Sequence, residues 1–149
     1  MRKLKISASR TARVGVVPLH PFIVDTLDFT SHLQSVKASG VERAFPSLKR
    51  INHKYGHAVS KWFSAYATRQ GVAKGKTFHS LRHTFTTNLL HHDVPMHVVD
   101  WLTGHAIPGE TGGRYGKPPK DPAVLMPHLM RLDFGIDLRH LVNSRFVAL

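Results

Sequence analysis

Two periods of apolar and polar positions alternate along this chain, and the switches between them mark its elements. Val14, Val16 and Val17 are β-branched residues in a segment over 13–19, and a second short segment over 3–7 precedes it across a polar turn. Together they predict a hairpin over residues 2–19, closed by Pro18 and Pro21. Pro21 suits a first helical position, and a helix starting there takes Phe22, Ile23, Leu27 and Leu33 as its apolar side. Residues 41–52 carry no sustained period and read as a connecting loop with a short turn. Over 57–70 the helical period returns, with Val59, Trp62, Phe63 and Tyr66 as a core-facing aromatic stripe and Gly71 as the stop. Gly75 breaks the chain before a third helix, from about 77–79 to 91. A fourth helix runs over 95–103 with Gly104 as its C-terminal stop. A Gly-rich loop follows at 107–113. Asp121 and Pro122 read as the cap and first residue of a last helix reaching 131, and the tail over 137–149 adds a short helix. His91 and His92 fall at an exposed helix end, where an imidazolium complements the dipole. The expected fold is mainly α with a small N-terminal β-hairpin, an α+β arrangement. It forms a single, partial domain over 1–149 whose C-terminal tail starts at about 133.

Composition narrows the function classes. A chain of 149 residues suits one domain, and with 42% apolar and 20% charged residues it reads as globular. It has no cysteine, which excludes disulfides, thiolate metal sites and a cysteine nucleophile. No apolar run is long enough to span a membrane, the basic N-terminus is unlike a signal peptide, and the expectation is a cytoplasmic, nucleoid-associated protein. The formal net charge is +12, and no acidic residue occurs between Glu42 and Asp93. Such a field favours a polyanion, because each neutralised phosphate releases condensed counterions. A nucleic acid is the expected polyanion, ahead of a membrane surface, with Arg10, Arg13, Lys61, Lys74, Lys76 and Arg114 as candidate binding residues.

The candidate chemistry lies between His79 and Tyr115. The segment His79-Ser80-Leu81-Arg82-His83 opens the third helix, Leu102-Thr103-Gly104-His105 ends the fourth, and Tyr115 follows ten residues later. Three such blocks in this order and spacing resemble the catalytic domain of the tyrosine recombinases of the phage-integrase type. Lys3-Leu4-Lys5 with Ala8-Ser9 and Val17-Pro18-Leu19-His20-Pro21 are similar to that family's lysine-bearing hairpin, and Val59-Ser60-Lys61-Trp62-Phe63 and Tyr115-Gly116-Lys117 extend the likeness to about residues 2–132.

The resemblance implies site-specific recombination or integration, with Tyr115 attacking a phosphodiester to give a 3′-phosphotyrosine and a free 5′-hydroxyl. A phenol suits this because it is also a good leaving group in the return step, so bond energy is kept and no cofactor is needed. Arg82 is suited to clamp the non-bridging oxygens with its planar fork, and His105 to donate to the same oxygens. His79, three residues before Arg82 on one helix face, would assist proton transfer. Lys5, with Lys3 as the alternative, would protonate the leaving 5′-oxygen. His83 reads as a supporting residue, and Tyr55 and Tyr66 do not fit the pattern.

Other readings stay open. The family places a second arginine upstream of the lysine hairpin, and this chain opens at the hairpin. The expectation is therefore an N-terminally truncated catalytic domain, weakly active or inactive by itself. It would self-associate as a dimer or as a tetramer on DNA, with Phe134, Ile136, Leu138, Leu141 and Phe146 packing on a neighbour or finishing the core. Alternatives are a non-catalytic DNA-binding remnant and relaxation of the type IB topoisomerase kind. His79 and His83 have the i, i+4 spacing of zinc helices, but Ser80 stands where a zinc protease has glutamate, so no metal is expected.

Overall fold

The computed structural model describes residues 3–6, 15–52, 55–105 and 117–142. It is mainly helical with one two-stranded sheet, as the patterning predicts. Strands β1 (Lys3–Ile6) and β2 (Gly15–Pro18) pair antiparallel, with Lys3 opposite Pro18 and Lys5 opposite Val16. Pro18, which has no N–H to give, sits at the end of the strand where pairing stops.

The helix expected from Pro21 through Leu33 is two elements. A π-helical turn spans Phe22–Thr26, and α1 spans Phe29–Ala38. Between them Asp28 takes φ +45°, a left-handed conformation that Asp tolerates better than most residues. The His20 ring fixes the first turn, because its Nδ1 accepts the Phe22 N–H at 3.1 Å. Burial holds the His20 imidazole below its usual pKa. An imidazolium has no lone pair for that N–H, which points the same way. With the folded value depressed, the stabilisation is present above the unfolded pKa of about 6.5 and is lost as pH falls through it towards the folded value. Urea unfolding should therefore show stability dropping as pH falls through about 6.5, and His20→Asn, which keeps an acceptor but does not titrate, should flatten that drop.

The chain divides into two compact units. One comprises residues 1–28 and 85–149, the other residues 29–84. The boundary falls within α3 (Phe78–His91), whose first turns belong to the second unit and whose remainder belongs to the first.

In the first unit, Leu89 of α3, Val94, and Val98, Val99 and Leu102 of α4 (Met96–Thr103) form a buried cluster with Leu125. Phe85, Leu90, Trp101 and Leu132 pack around it. The helical period puts Phe85 and Leu89 on one side of α3, and Val98 and Leu102 on one side of α4. The turn joining the helices has Asp93 at φ +56°, and Arg131 donates to the carbonyls of His92 (3.1 Å) and Asp93 (3.3 Å), which α3 leaves unbonded. His91 and His92 are exposed there, and the His92 ring bonds the Asn88 carbonyl at 2.8 Å. The Asn88 side chain in turn brackets the backbone of Asp133, donating to its carbonyl and accepting its N–H. Leu89 is fully buried, so Leu89→Ala should cost about 3 kcal/mol by chemical denaturation, transfer and cavity terms together.

The last helix begins as expected, with Asp121 accepting the Ala123 N–H at 3.0 Å and Pro122 next. It starts as a 3-10 turn, Pro122–Leu125, and becomes α5 (Met126–Leu129) only for its second half, ending short of 131. In the tail, a 3-10 turn spans Arg139–Leu141, and the rest of the expected short helix lies outside the described residues. Phe134, Ile136 and Leu138 line an apolar cavity of about 660 Å³ with Val17, Phe22 and Phe85.

In the second unit, a helix α2 (His57–Arg69) follows the loop. That loop is tied back to α1 by stacking among Phe29, His32 and Phe45 and by a 2.7 Å bond from the His32 ring to the Ala44 carbonyl. Tyr55 has the Arg43 guanidinium over its ring at 4.7 Å, a structural use of this tyrosine. The aromatic stripe of α2 is a correction. Ala67 is buried and Val59 and Phe63 are half-buried, whereas Trp62 and Tyr66 are exposed and stack on each other at 5.4 Å. The inward strip runs Val59, Phe63, Ala67 at i, i+4, i+8. Trp62 and Tyr66 form the parallel i, i+4 strip about 100° round the helix, where they cover each other.

Candidate catalytic residues

The two expected residues of α3 stand at its start. Thr77 and Ser80 form the cap: the Ser80 hydroxyl accepts the Thr77 N–H at 3.0 Å, and the Ser80 N–H bonds the Thr77 carbonyl at 2.9 Å. This fixes the first turn one residue before Leu81-Arg82. His79 and Arg82 are three positions apart and so project from one side of the helix. His79 is exposed and Arg82 half-buried, which suits a group that reaches solvent and one held against the protein. His83 packs edge-on against His79, ring centroids 4.9 Å apart, consistent with a supporting residue.

His105 belongs to the other unit, at the end of α4. Gly104 takes φ +72°, the left-handed turn that ends this helix, and the His105 N–H folds back to the Asp100 carbonyl at 2.9 Å. A residue with a Cβ would be strained at this φ. The half-exposed ring then meets Thr103 and Asp100, its Nδ1 lying 3.0 Å from Thr103 Oγ1 and 3.4 Å from Asp100 Oδ1. These two neighbours were not among the residues singled out from the sequence. The signal was there: a glycine stop folds the chain back on the last turn, which brings a residue five positions earlier beside the histidine.

Lys5 stands in β1 opposite Val16. Tyr115, Arg114, Arg10 and Arg13 lie outside the described residues. Lys61 on α2 and Lys74 and Lys76 between α2 and α3 are exposed, as are Arg43, Lys49, Arg50 and Arg69. These seven cations of the acid-free stretch therefore lie at the surface. Among the described residues no three His, Cys, Asp or Glu side chains gather in a group able to hold a metal ion, and no helix is long and apolar enough to cross a membrane.

Residues 1–120 match the Phage integrase family. Tyrosine recombinase XerD of Lacticaseibacillus casei is 31% identical over 96 residues, which cover 61% of this chain and 32% of that protein, so the chain spans about a third of that relative's length. No solved structure matches the chain. With four-fifths of its length inside the family pattern and the His79–Arg82 pair and Gly104-His105 in their expected helical settings, the chain belongs to the phage integrase family, the enzymes called tyrosine recombinases.

Proposed function

We propose that this chain is the catalytic part of a site-specific recombinase that cuts and rejoins double-stranded DNA through a 3′-phosphotyrosine at Tyr115. The observation that carries the reading is the family match over residues 1–120, which includes His79, Arg82, His105 and Tyr115 in the family's order. In the reaction, the Tyr115 phenolic oxygen attacks the scissile phosphorus as its proton leaves. The P–O5′ bond breaks, and the 5′-oxygen takes a proton from Lys5. Charge gathers on the non-bridging oxygens of the pentacoordinate phosphorus, where the Arg82 fork and the His105 ring bond it. His79 supports proton transfer at the phenol. Attack by another strand's 5′-hydroxyl reverses the steps and releases Tyr115, so the bond energy is conserved without a nucleotide cofactor.

The exposed cations Lys61, Lys74 and Lys76, together with Arg10, Arg13 and Arg114, hold the duplex by its phosphates. On this reading the protein works on chromosomal or mobile-element DNA in the cytoplasm and pairs with copies of itself when two duplexes are exchanged. The test is covalent capture on nicked duplexes whose cleaved fragment diffuses away, read on a denaturing gel. A protein–DNA band supports strand cleavage. DNA binding without a band points to a non-catalytic binding module, and relaxation of supercoiled plasmid without strand exchange points to a topoisomerase.

A further inference from the structure

We propose that Asp100 and Thr103 are positioning residues for His105, holding its imidazole as the Nδ1–H form and so turning Nε2 to the phosphate. The inference rests on the function proposed above for His105, but the proton placement follows from local geometry alone. Thr103 Oγ1 lies 2.7 Å from the Val99 carbonyl and 3.4 Å from that of Asp100, both acceptors one turn back in α4. A hydroxyl has one proton, and this one is spent on the Val99 carbonyl. Towards His105 Nδ1, 3.0 Å away, the Thr103 oxygen can then only accept. The Asp100 carboxylate, 3.4 Å from the same nitrogen, is also an acceptor when ionised. Two independent neighbours thus demand a proton on Nδ1, and the backbone bond from His105 to the Asp100 carbonyl keeps the ring over both.

The consequence is chemical. A neutral Nδ1–H imidazole offers a lone pair at Nε2, so it donates to a non-bridging phosphate oxygen only from the doubly protonated ring. Asp100, 18% exposed against 49% for His105, lies on the Nδ1 side of that ring and is the less exposed of the two. Asp100 touches no substrate in this scheme and acts through the histidine.

Nitrogen-15 spectra of the histidine rings in the full chain, at a pH where they are neutral, test this directly. His105 is assigned by loss of its signals in His105→Gln. The expected wild-type signature is a protonated Nδ1 and a bare Nε2, kept in Asp100→Asn and shifted towards Nε2–H in the Asp100→Leu/Thr103→Val double variant. An Nε2–H ring in the wild type would overturn the proposal even if no variant folds. Covalent capture adds the second readout. Asp100→Leu should slow it by about tenfold and Asp100→Asn should restore it to within about threefold of wild type. Wild-type rates in Asp100→Leu would show that Asp100 positions nothing. If the wild type itself captures no DNA, the reading that this chain cleaves strands by itself falls, and the ring spectrum still decides where the proton sits.

Discussion

Arg82→Ala should reduce covalent capture of nicked DNA by about 10²–10³-fold while leaving the fold intact, as judged by circular dichroism and urea unfolding. On the proposed mechanism the effect is large because the charge that Arg82 meets develops only as the phosphorus becomes pentacoordinate, so the loss falls on the cleavage rate and little on binding. DNA affinity should drop slightly, with the salt dependence of binding shallower by about one phosphate contact. Arg82→Lys keeps a charge but loses the two-pronged fork, and should recover only part of the rate. Arg82 stands near the start of α3. It is half-buried on the first turns of a helix whose cap is made by Thr77 and Ser80 and does not depend on the guanidinium. Capture by Arg82→Ala at the wild-type rate would remove Arg82 from the chemistry.

Elements with a local physical signal were legible in the sequence. The hairpin announces itself through Val16 and Val17 and the closing Pro18, and its register pairs those residues with Lys5 and Leu4. The end of α4 was set by Gly104, whose left-handed φ also explains why His105 leaves the helix at a fixed angle. Asp121 and Pro122 opened the last helical stretch as a cap and first residue do. What escaped depended on choices that the local pattern leaves open. Asp28 looks like any polar helix residue, and only the folded chain shows it reversing φ to separate the first turn from α1. On α2, Val59, Phe63 and Ala67 form one strip and Trp62 and Tyr66 the next. An apolar arc that wide has two candidate centres, and the smaller side chains won the interior. The candidate site is written in the sequence as residue types at family spacing, His79, Arg82, His105 and Tyr115. The companions of His105 are readable only through Gly104, whose fold-back brings Asp100 and Thr103 of the last turn of α4 to the ring.

Tyr115 carries the largest expected effect of all. On the proposed mechanism the phenolic oxygen forms the covalent bond, so Tyr115→Phe removes the nucleophile while keeping the ring, and no other part of that scheme substitutes for it. Tyr55 lies under Arg43 and Tyr66 stacks on Trp62, so each already has a structural use. The decisive measurement is peptide mapping of the captured protein–DNA adduct by mass spectrometry, with Tyr115→Phe run in parallel. The account predicts a nucleotide remnant on the peptide containing Tyr115 and no adduct from the variant. A remnant on another residue, or an adduct that survives Tyr115→Phe, would contradict it.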